Sequence, residues 1–168
     1  MEKFKEYIIR EYAEKDLEWI VQTHGELYNK EYGFDNTFPE YVRDPLDKFH
    51  STRKVDREQI WIAEKNGKKV GVIAIACFDD YTAQLRWFLL LEDERGIGLG
   101  NKLIETAVNY SKEKGYGKII LWTVSILDAA RHLYSKHGFT IEEEIPHKIW
   151  GKDLIEEKWD LIIDPAQK

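Results

Sequence analysis

A glycine-rich stretch between an apolar run and a helical pattern most constrains the fold of this chain. The stretch is RGIGLGNK, residues 95–102, and it follows the run LRWFLLLE. Gly96, Gly98 and Gly100 alternate there with larger residues. Glycine permits backbone conformations and close approaches that a side chain forbids. The stretch therefore predicts a sharp turn from a strand into a helix, with room for another group beside the backbone.

The predicted turn has the chemistry of a phosphate site. The first N–H groups of a helix have no partner within the helix, and the helix dipole adds about half a positive charge there. Arg95 and Lys102 add further positive charge. The P-loop and the dinucleotide-binding fingerprint are both excluded because their glycine spacings do not fit. A turn without a ligand is the alternative, since glycine is common at such junctions.

The rest of the chain predicts strands and helices in the order β–α–α–β–β–β–α–β–α–β–β, which is typical of an α+β or mixed α/β domain. Asn66-Gly67 predicts a two-residue hairpin turn. A helical region at 37–50 is expected to be interrupted by Pro45. A short helix is expected to begin at Asp128 as its N-cap, and the last two strands are expected at 139–144 and 156–163. Three helices are expected to end at glycines, namely Gly33, Gly115 and Gly138.

Length and composition narrow the class of protein. A length of 168 residues suits one domain, so residues 1–168 are predicted to form a single domain. The net charge of −6 argues against general nucleic-acid binding, and no apolar run reaches the length of a membrane span. A charged start without a signal peptide and one cysteine, Cys77, indicate a cytoplasmic protein. No histidine or cysteine spacing is typical of a metal site.

Two segments resemble the signatures of the GNAT family of N-acetyltransferases. RGIGLG matches the R/Q-x-x-G-x-G/A pattern of that family's pyrophosphate loop, and DAARHLYSKHGF resembles its second signature. The segments HGELY, LWTV and HKIWGKDLIEEKWDL look like the acetyltransferase half of proteins that also carry a MarR-type DNA-binding domain. This chain has no room for that second half, so a freestanding domain is expected. The resemblance implies the GNAT fold, a mostly antiparallel mixed sheet of about seven strands with helices on both faces, splayed between the fourth and fifth strands.

The resemblance implies an enzyme that moves an acetyl group from acetyl-CoA to a primary amine, by direct attack in a ternary complex. The amine is a small molecule, an amino acid or a protein amine, and the acidic balance of the chain favours a cationic one. A non-catalytic sensor or interaction module that binds acyl-CoA is the alternative. Neither nucleic acid nor membrane is an expected partner. The oligomeric state is open, with homodimers common in the family.

The resemblance also assigns site residues. Tyr134 falls on the position of the general acid. Glu26 is a candidate base, with His24 and a water relay as alternatives, because Gln84 occupies the position of the glutamate found in histone-acetylating members. Trp87 and Trp122 are candidates for lining the acceptor pocket, and Trp150 and Trp159 are candidates for the same role or for a dimer contact. The residues implied to bind acetyl-CoA are Leu89, Leu90 and Leu91 at the strand end, Arg95, Gly96, Ile97, Gly98, Leu99, Gly100, Asn101 and Lys102 in the loop and helix start, and Asp128.

Overall fold

Residues 7–163, which the computed structural model describes, contain seven strands and four α-helices in the predicted order. Two short 3-10 turns lie at Glu14–Asp16 and Glu92–Glu94. The sequence predicts the first strand at residues 4–12, of which residues 4–6 lie outside the described residues. In chain order the elements are β1 (Tyr7–Glu11), α1 (Leu17–Tyr32), α2 (Phe38–Thr52), β2 (Gln59–Lys65), β3 (Lys68–Cys77), β4 (Thr82–Leu90), α3 (Leu99–Glu113), β5 (Lys118–Val124), α4 (Asp128–Lys136), β6 (Thr140–Ile149) and β7 (Lys152–Ile162).

The strands form one sheet in the order β1-β2-β3-β4-β5-β7-β6. Neighbours from β1 to β4 are antiparallel, and so are β6 and β7. The predicted mixed, mostly antiparallel sheet of about seven strands is therefore confirmed. Asn66 and Gly67 join β2 to β3 with φ of 52° and 80°, which confirms the predicted hairpin turn.

The described residues divide into two compact units. Unit 1 comprises residues 7–12, 54–119 and 162–163, and unit 2 comprises residues 13–53 and 120–161. In unit 1, α3 packs on the sheet of β1 to β4 and buries an apolar stripe. The buried residues of that stripe are Leu99, Leu103, Ile104 and Ala107. One domain over residues 1–168 stays a prediction.

An aromatic cluster forms much of the core of unit 2. The rings of Phe34 and Phe38 each lie 4.8 Å from the ring of Trp150, and 5.3 Å from one another. The N–H of Asp35 donates to the Trp150 carbonyl at 3.0 Å. Trp150 and Gly151 form the turn between β6 and β7, with φ of 52° and 80°. Ring packing therefore holds the segment after α1 against the tip of this hairpin.

The predicted interruption at Pro45 is wrong, because α2 continues through this residue. Proline removes one helical hydrogen bond and crowds the preceding turn, at a cost of about 3 kcal/mol. The helix nevertheless buries Val42, Leu46 and Phe49 along one stripe. Each such side chain contributes about 1.5–3 kcal/mol when it is fully buried, so the packing of the stripe outweighs the local cost.

The last two strands are longer than the sequence pattern predicted. Charged residues and Pro146 hide the extent of β6, which is exposed along almost its whole length. Proline is tolerated there because β6 is at the edge of the sheet, where an N–H facing solvent is not needed.

Among the described residues, no helix is both long and apolar enough to cross a bilayer. Within the same residues, no group of three or more His, Cys, Asp or Glu side chains is arranged to hold a metal ion.

Replacing Pro45 by alanine should raise the free energy of unfolding by about 2 kcal/mol, because alanine restores the missing hydrogen bond but frees the unfolded chain. Urea denaturation measures this change. Asp47→Ala, at an exposed position of the same helix, is the control and should shift stability by less than about 0.5 kcal/mol. An unchanged or less stable Pro45→Ala variant would show that the proline ring itself contributes packing.

Candidate active site

The glycine loop leads from β4 into α3 within unit 1. Gly96 and Gly98 have φ of 81° and 90°, in the left-handed region that L side chains rarely adopt. A Cβ added at Gly96 would meet no atom within 4 Å. Backbone conformation, not crowding by the protein, therefore calls for glycine at Gly96, and the space beside this residue is open.

The N-terminus of α3 has no side-chain cap within residues 7–163. Its N-cap residue is Gly98, which has no side chain to accept a hydrogen bond. Among the four α-helices of the described residues, α3 alone has no acidic residue in its first turn. Exposed Lys102 lies there instead. Negative charge is favoured at this end of a helix, so the arrangement suits an anion supplied by a ligand.

The loop is anchored to the end of β4. Arg95 Nε donates to the Leu90 carbonyl at 3.1 Å. The N–H of Leu91 donates to the Val70 carbonyl at 2.9 Å, and the Leu91 carbonyl accepts from the following 3-10 turn at 2.9 Å. Both backbone groups of Leu91 and the carbonyl of Leu90 thus have protein partners. The predicted contact of Leu89, Leu90 and Leu91 with acetyl-CoA stays a prediction.

A β-bulge in β4 is a feature that the sequence did not indicate. Val72 pairs with Leu89 and Ala74 with Arg86, so β4 has one more residue than β3 between these pairs. Trp87, within the bulge, has φ of 51°, which is rare for a bulky residue. Bulges and strained backbone concentrate at functional sites. Aromatic residues ordinarily favour regular strands, so the run LRWFLLL contains no signal of the bulge.

Tyr134 is buried in unit 2, on α4. Its ring centroid lies 5.9 Å from that of Phe139 and 6.0 Å from that of Trp159. Burial raises the pKa of the Tyr134 hydroxyl well above its ordinary value, and the neighbouring Tyr28 raises it further. The phenol is therefore protonated at neutral pH, as a general acid must be before it transfers its proton.

A buried carboxylate fixes the surroundings of Tyr134. Glu157 is 2% exposed, and it accepts hydrogen bonds from Arg131 Nε at 2.9 Å and Nη2 at 3.0 Å. Trp159 Nε1 donates to the same carboxylate at 3.0 Å. This network was not predicted from the sequence, where its only signal is the helical spacing of Arg131 and Tyr134. Glu157 thus ties α4 to β7 and orients the indole ring that packs on Tyr134.

The predicted N-cap role of Asp128 is wrong, since α4 begins at Asp128 and its N-cap is Leu127. Leu127 is 9% exposed, and burial of its side chain outweighs a cap preference of about 1 kcal/mol. Asp128 lies exposed in the first turn, with Oδ1 3.8 Å from Arg131 Nη1. Its contact with the cofactor stays a prediction.

The two candidate bases on α1 differ in their environment. His24 is 3% exposed and its Nδ1 lies 2.8 Å from the Ile20 carbonyl, so this nitrogen carries a proton and donates it. Burial lowers the pKa of His24 to about 4, which makes it a weak base that is neutral at pH 7. Glu26 is exposed. Burial therefore disfavours His24 as the catalytic base, and the role of Glu26 as the base stays a prediction.

The comparisons with known proteins decide the family. The sequence profile of the acetyltransferase (GNAT) family matches residues 17–139, which include the glycine loop and Tyr134. The chain belongs to this family. The uncharacterized N-acetyltransferase MJ1207 of Methanocaldococcus jannaschii is 30% identical over 148 residues, which cover 84% of this chain and 64% of that protein. The chain thus spans less than two thirds of the length of this relative.

Solved structures confirm the predicted GNAT fold. An acetyltransferase from Streptococcus agalactiae matches with a TM-score of 0.78 and 25% identity, over 95% of this chain and 100% of that one. The protein yncA from Salmonella typhimurium, solved with its cofactor acetyl-CoA, matches with a TM-score of 0.77 over 98% of each chain. It is 18% identical to this chain, a likeness that shows the fold alone.

Replacing His24 by asparagine should make the protein less sensitive to acid. The pKa is about 4 in the folded state and 6.5 without burial, so the unfolded state binds more protons between these values. Stability is therefore lost as the pH falls below about 6.5, by about 3 kcal/mol at pH 4, with no effect at pH 7. Asparagine keeps a donor near the Ile20 carbonyl but does not titrate.

Urea unfolding at pH 7 and at pH 4 gives the loss of stability of each protein on acidification. The contribution of His24 is the loss in the wild type minus the loss in the variant. His132→Asn, at an exposed position of α4, is the control and should keep the wild-type pH dependence. If the wild type and His24→Asn lost the same stability between pH 7 and pH 4, burial would not keep His24 neutral in the folded protein.

Proposed function

We propose that the protein transfers the acetyl group of acetyl-CoA to a primary amine. The observation that carries this proposal is the N-terminus of α3, where the N-cap Gly98 has φ 90° and no side chain, and where Lys102 lies in the first turn. Membership of the acetyltransferase (GNAT) family supports it, since the match includes this loop. We assign the pyrophosphate of acetyl-CoA to the N–H groups of residues 97–101, with Arg95 and Lys102 nearby.

The pantetheine arm is assigned to the backbone at the end of β4, where it pairs like an added strand. Leu89, Leu90 and Leu91 are proposed for this role, in which the arm takes up the backbone groups that β3 and the loop do not bind; both groups of Leu91 and the Leu90 carbonyl are already bound. The nearby bulge at Trp87 supports a functional role for this strand end. A backbone N–H of this region is proposed to stabilise the oxyanion that forms on the acetyl carbonyl.

The reaction is a direct attack by the amine on the acetyl carbonyl carbon, in a ternary complex. An amine with a pKa near 10 must first lose its proton, at a cost of about 4–5 kcal/mol at pH 7. Glu26 or a water molecule takes that proton. The C–S bond then breaks with its electron pair on sulfur, and Tyr134 gives its proton to the thiolate. The new amide nitrogen loses its remaining extra proton to the Tyr134 phenolate, directly or through water, which restores the phenol. Buried Tyr134 suits this role because it keeps its proton until the thiolate forms.

The acceptor is proposed to be a cationic small molecule, an amino acid or a peptide amine. The net charge of −6 and exposed Glu26 favour a cationic acceptor. A non-catalytic module that binds acyl-CoA is the second candidate, and Gln84 favours it because glutamine cannot act as the base. The kinship with MarR-type fusion proteins, a homodimer and a cytoplasmic location stay predictions.

Release of CoA thiol from acetyl-CoA tests the proposal against a panel of polyamines, amino acids, aminoglycosides and lysine peptides. Release that depends on one class of acceptor establishes the transfer and its substrate class. Binding of acetyl-CoA without release across the panel would favour the non-catalytic module.

Gly98→Val should weaken acetyl-CoA binding at least about tenfold, because its side chain fills the space assigned to the pyrophosphate. Gly115→Val is the matched control. Gly115 lies just past the other end of α3, with φ of 86° and open space around it. In both variants a valine must adopt a positive φ, which costs about 1–2 kcal/mol of backbone strain. Isothermal titration calorimetry measures the affinity, and equal binding by the two variants would remove the loop from the cofactor site.

Tyr134→Phe should lower kcat by about 100-fold or more, because the thiolate then lacks its proton donor. Affinity for acetyl-CoA should stay close to that of the wild type. Tyr116→Phe is the control: Tyr116 is also buried, and its hydroxyl donates to the Arg57 carbonyl at 2.8 Å in unit 1. That variant should lose stability but keep its turnover. Wild-type turnover by Tyr134→Phe would exclude Tyr134 as the acid.

A further inference from the structure

Thr123, in β5, has a buried hydroxyl group without a hydrogen-bond partner. The residue is 9% exposed, and Oγ1 makes no hydrogen bond with any of residues 7–163. Leaving a buried hydroxyl unpaired costs free energy, and valine has the same shape without that cost. Buried polar groups in folded proteins are nearly always paired. The hydroxyl therefore calls for an explanation beyond the stability of the fold.

The pairing of β5 with β7 places Thr123 opposite Glu157. Two hydrogen bonds of 2.9 Å bracket this pair of strands, from Ser125 N–H to the Ile155 carbonyl and from Ile163 N–H to the Gly117 carbonyl. Between these two hydrogen bonds, β5 and β7 each contribute the same number of residues. The antiparallel register of the two strands therefore has no net shift. Directly opposed residues share one face of a sheet, and Thr123 thus lies on the face that carries Glu157.

Glu157 does not satisfy the Thr123 hydroxyl, although it is the opposed residue. Its two oxygens accept hydrogen bonds from Arg131 and Trp159 instead. Arg131 belongs to α4, and the ring of Tyr134 packs on Trp159. The face of β5 and β7 that α4 covers therefore holds a fully paired carboxylate, the proposed general acid and one unpaired hydroxyl.

We propose that the Thr123 hydroxyl hydrogen-bonds the thioester group of bound acetyl-CoA. The inference rests on the proposed function. A hydroxyl both donates and accepts, so it binds the thioester before transfer and donates to the sulfur as the C–S bond breaks.

This second donor helps the proton transfer from Tyr134. Burial raises the pKa of the Tyr134 phenol, which makes it a weaker acid. A hydrogen bond from Thr123 to sulfur stabilises the thiolate until the phenol proton reaches it. The unpaired hydroxyl of the free protein thus gains its partner only when acetyl-CoA is bound.

Three variants test the proposal: Thr123→Val, Thr123→Ser and, as the matched control, Thr140→Val. Thr140 is an exposed threonine on β6, so Thr140→Val makes the same replacement in a strand without affecting a buried hydroxyl. Thermal unfolding of the ligand-free proteins, calorimetric Kd for acetyl-CoA and kcat/KM from CoA release are measured for each. Thr123→Val should melt at or above the wild-type temperature, bind acetyl-CoA about tenfold more weakly and lose about tenfold in kcat/KM. Thr123→Ser and Thr140→Val should stay within about threefold of the wild type.

An unchanged Kd in Thr123→Val would overturn the proposal. So would a lower melting temperature, because it would show that the hydroxyl already stabilises the free protein. Failure of the transfer proposal is distinguishable from these outcomes: the wild type would then bind acetyl-CoA without releasing CoA to any amine, and the Kd of Thr123→Val would still decide the role of Thr123.

Discussion

The turn from β4 into α3 depends on Gly96 and Gly98, whose positive φ values a side chain would disfavour. This turn gives α3 an N-cap residue without a side chain and places Lys102 in the first turn of the helix. A positive side chain at this end of a helix costs a fraction of a kcal/mol, up to about 1. The protein keeps a locally unfavourable electrostatic arrangement that a bound phosphate would reverse. The proposed assignment of the pyrophosphate rests on that arrangement.

Unit 2 contains several buried polar groups, and they differ in whether the protein satisfies them. His24 is paired with the Ile20 carbonyl, and Glu157 is paired with Arg131 and Trp159. Such groups are neutralised or bonded, and they fix the local packing. The hydroxyl of Thr123 has no such partner among the described residues. The contrast matters because satisfied groups explain structure, whereas an unsatisfied group points to a ligand.

The sequence predicted the order of elements and the two segments that carry the family signatures. The positive φ values at Asn66-Gly67 and at the glycines that end helices depend only on residue type and near neighbours. They were therefore predictable from the chain alone. The continuation of α2 through Pro45 could not be predicted in this way, because it depends on the burial of the apolar side of α2 within unit 2. Leu127 replaced Asp128 as the N-cap of α4 for the same reason. In each case burial outweighed a local preference of a few kcal/mol or less.

The sequence by itself determined where the backbone turns and which residues carry charge at the start of α3, since both depend on residue type and near neighbours. Only the tertiary structure decided the bulge at Trp87, the partners of Leu91, and the pairing of Arg131 with Glu157. It also decided that His24 is buried and neutral and that the Thr123 hydroxyl is buried and unpaired. These properties depend on groups far apart in the chain, and desolvation acts only once folding has brought such groups together.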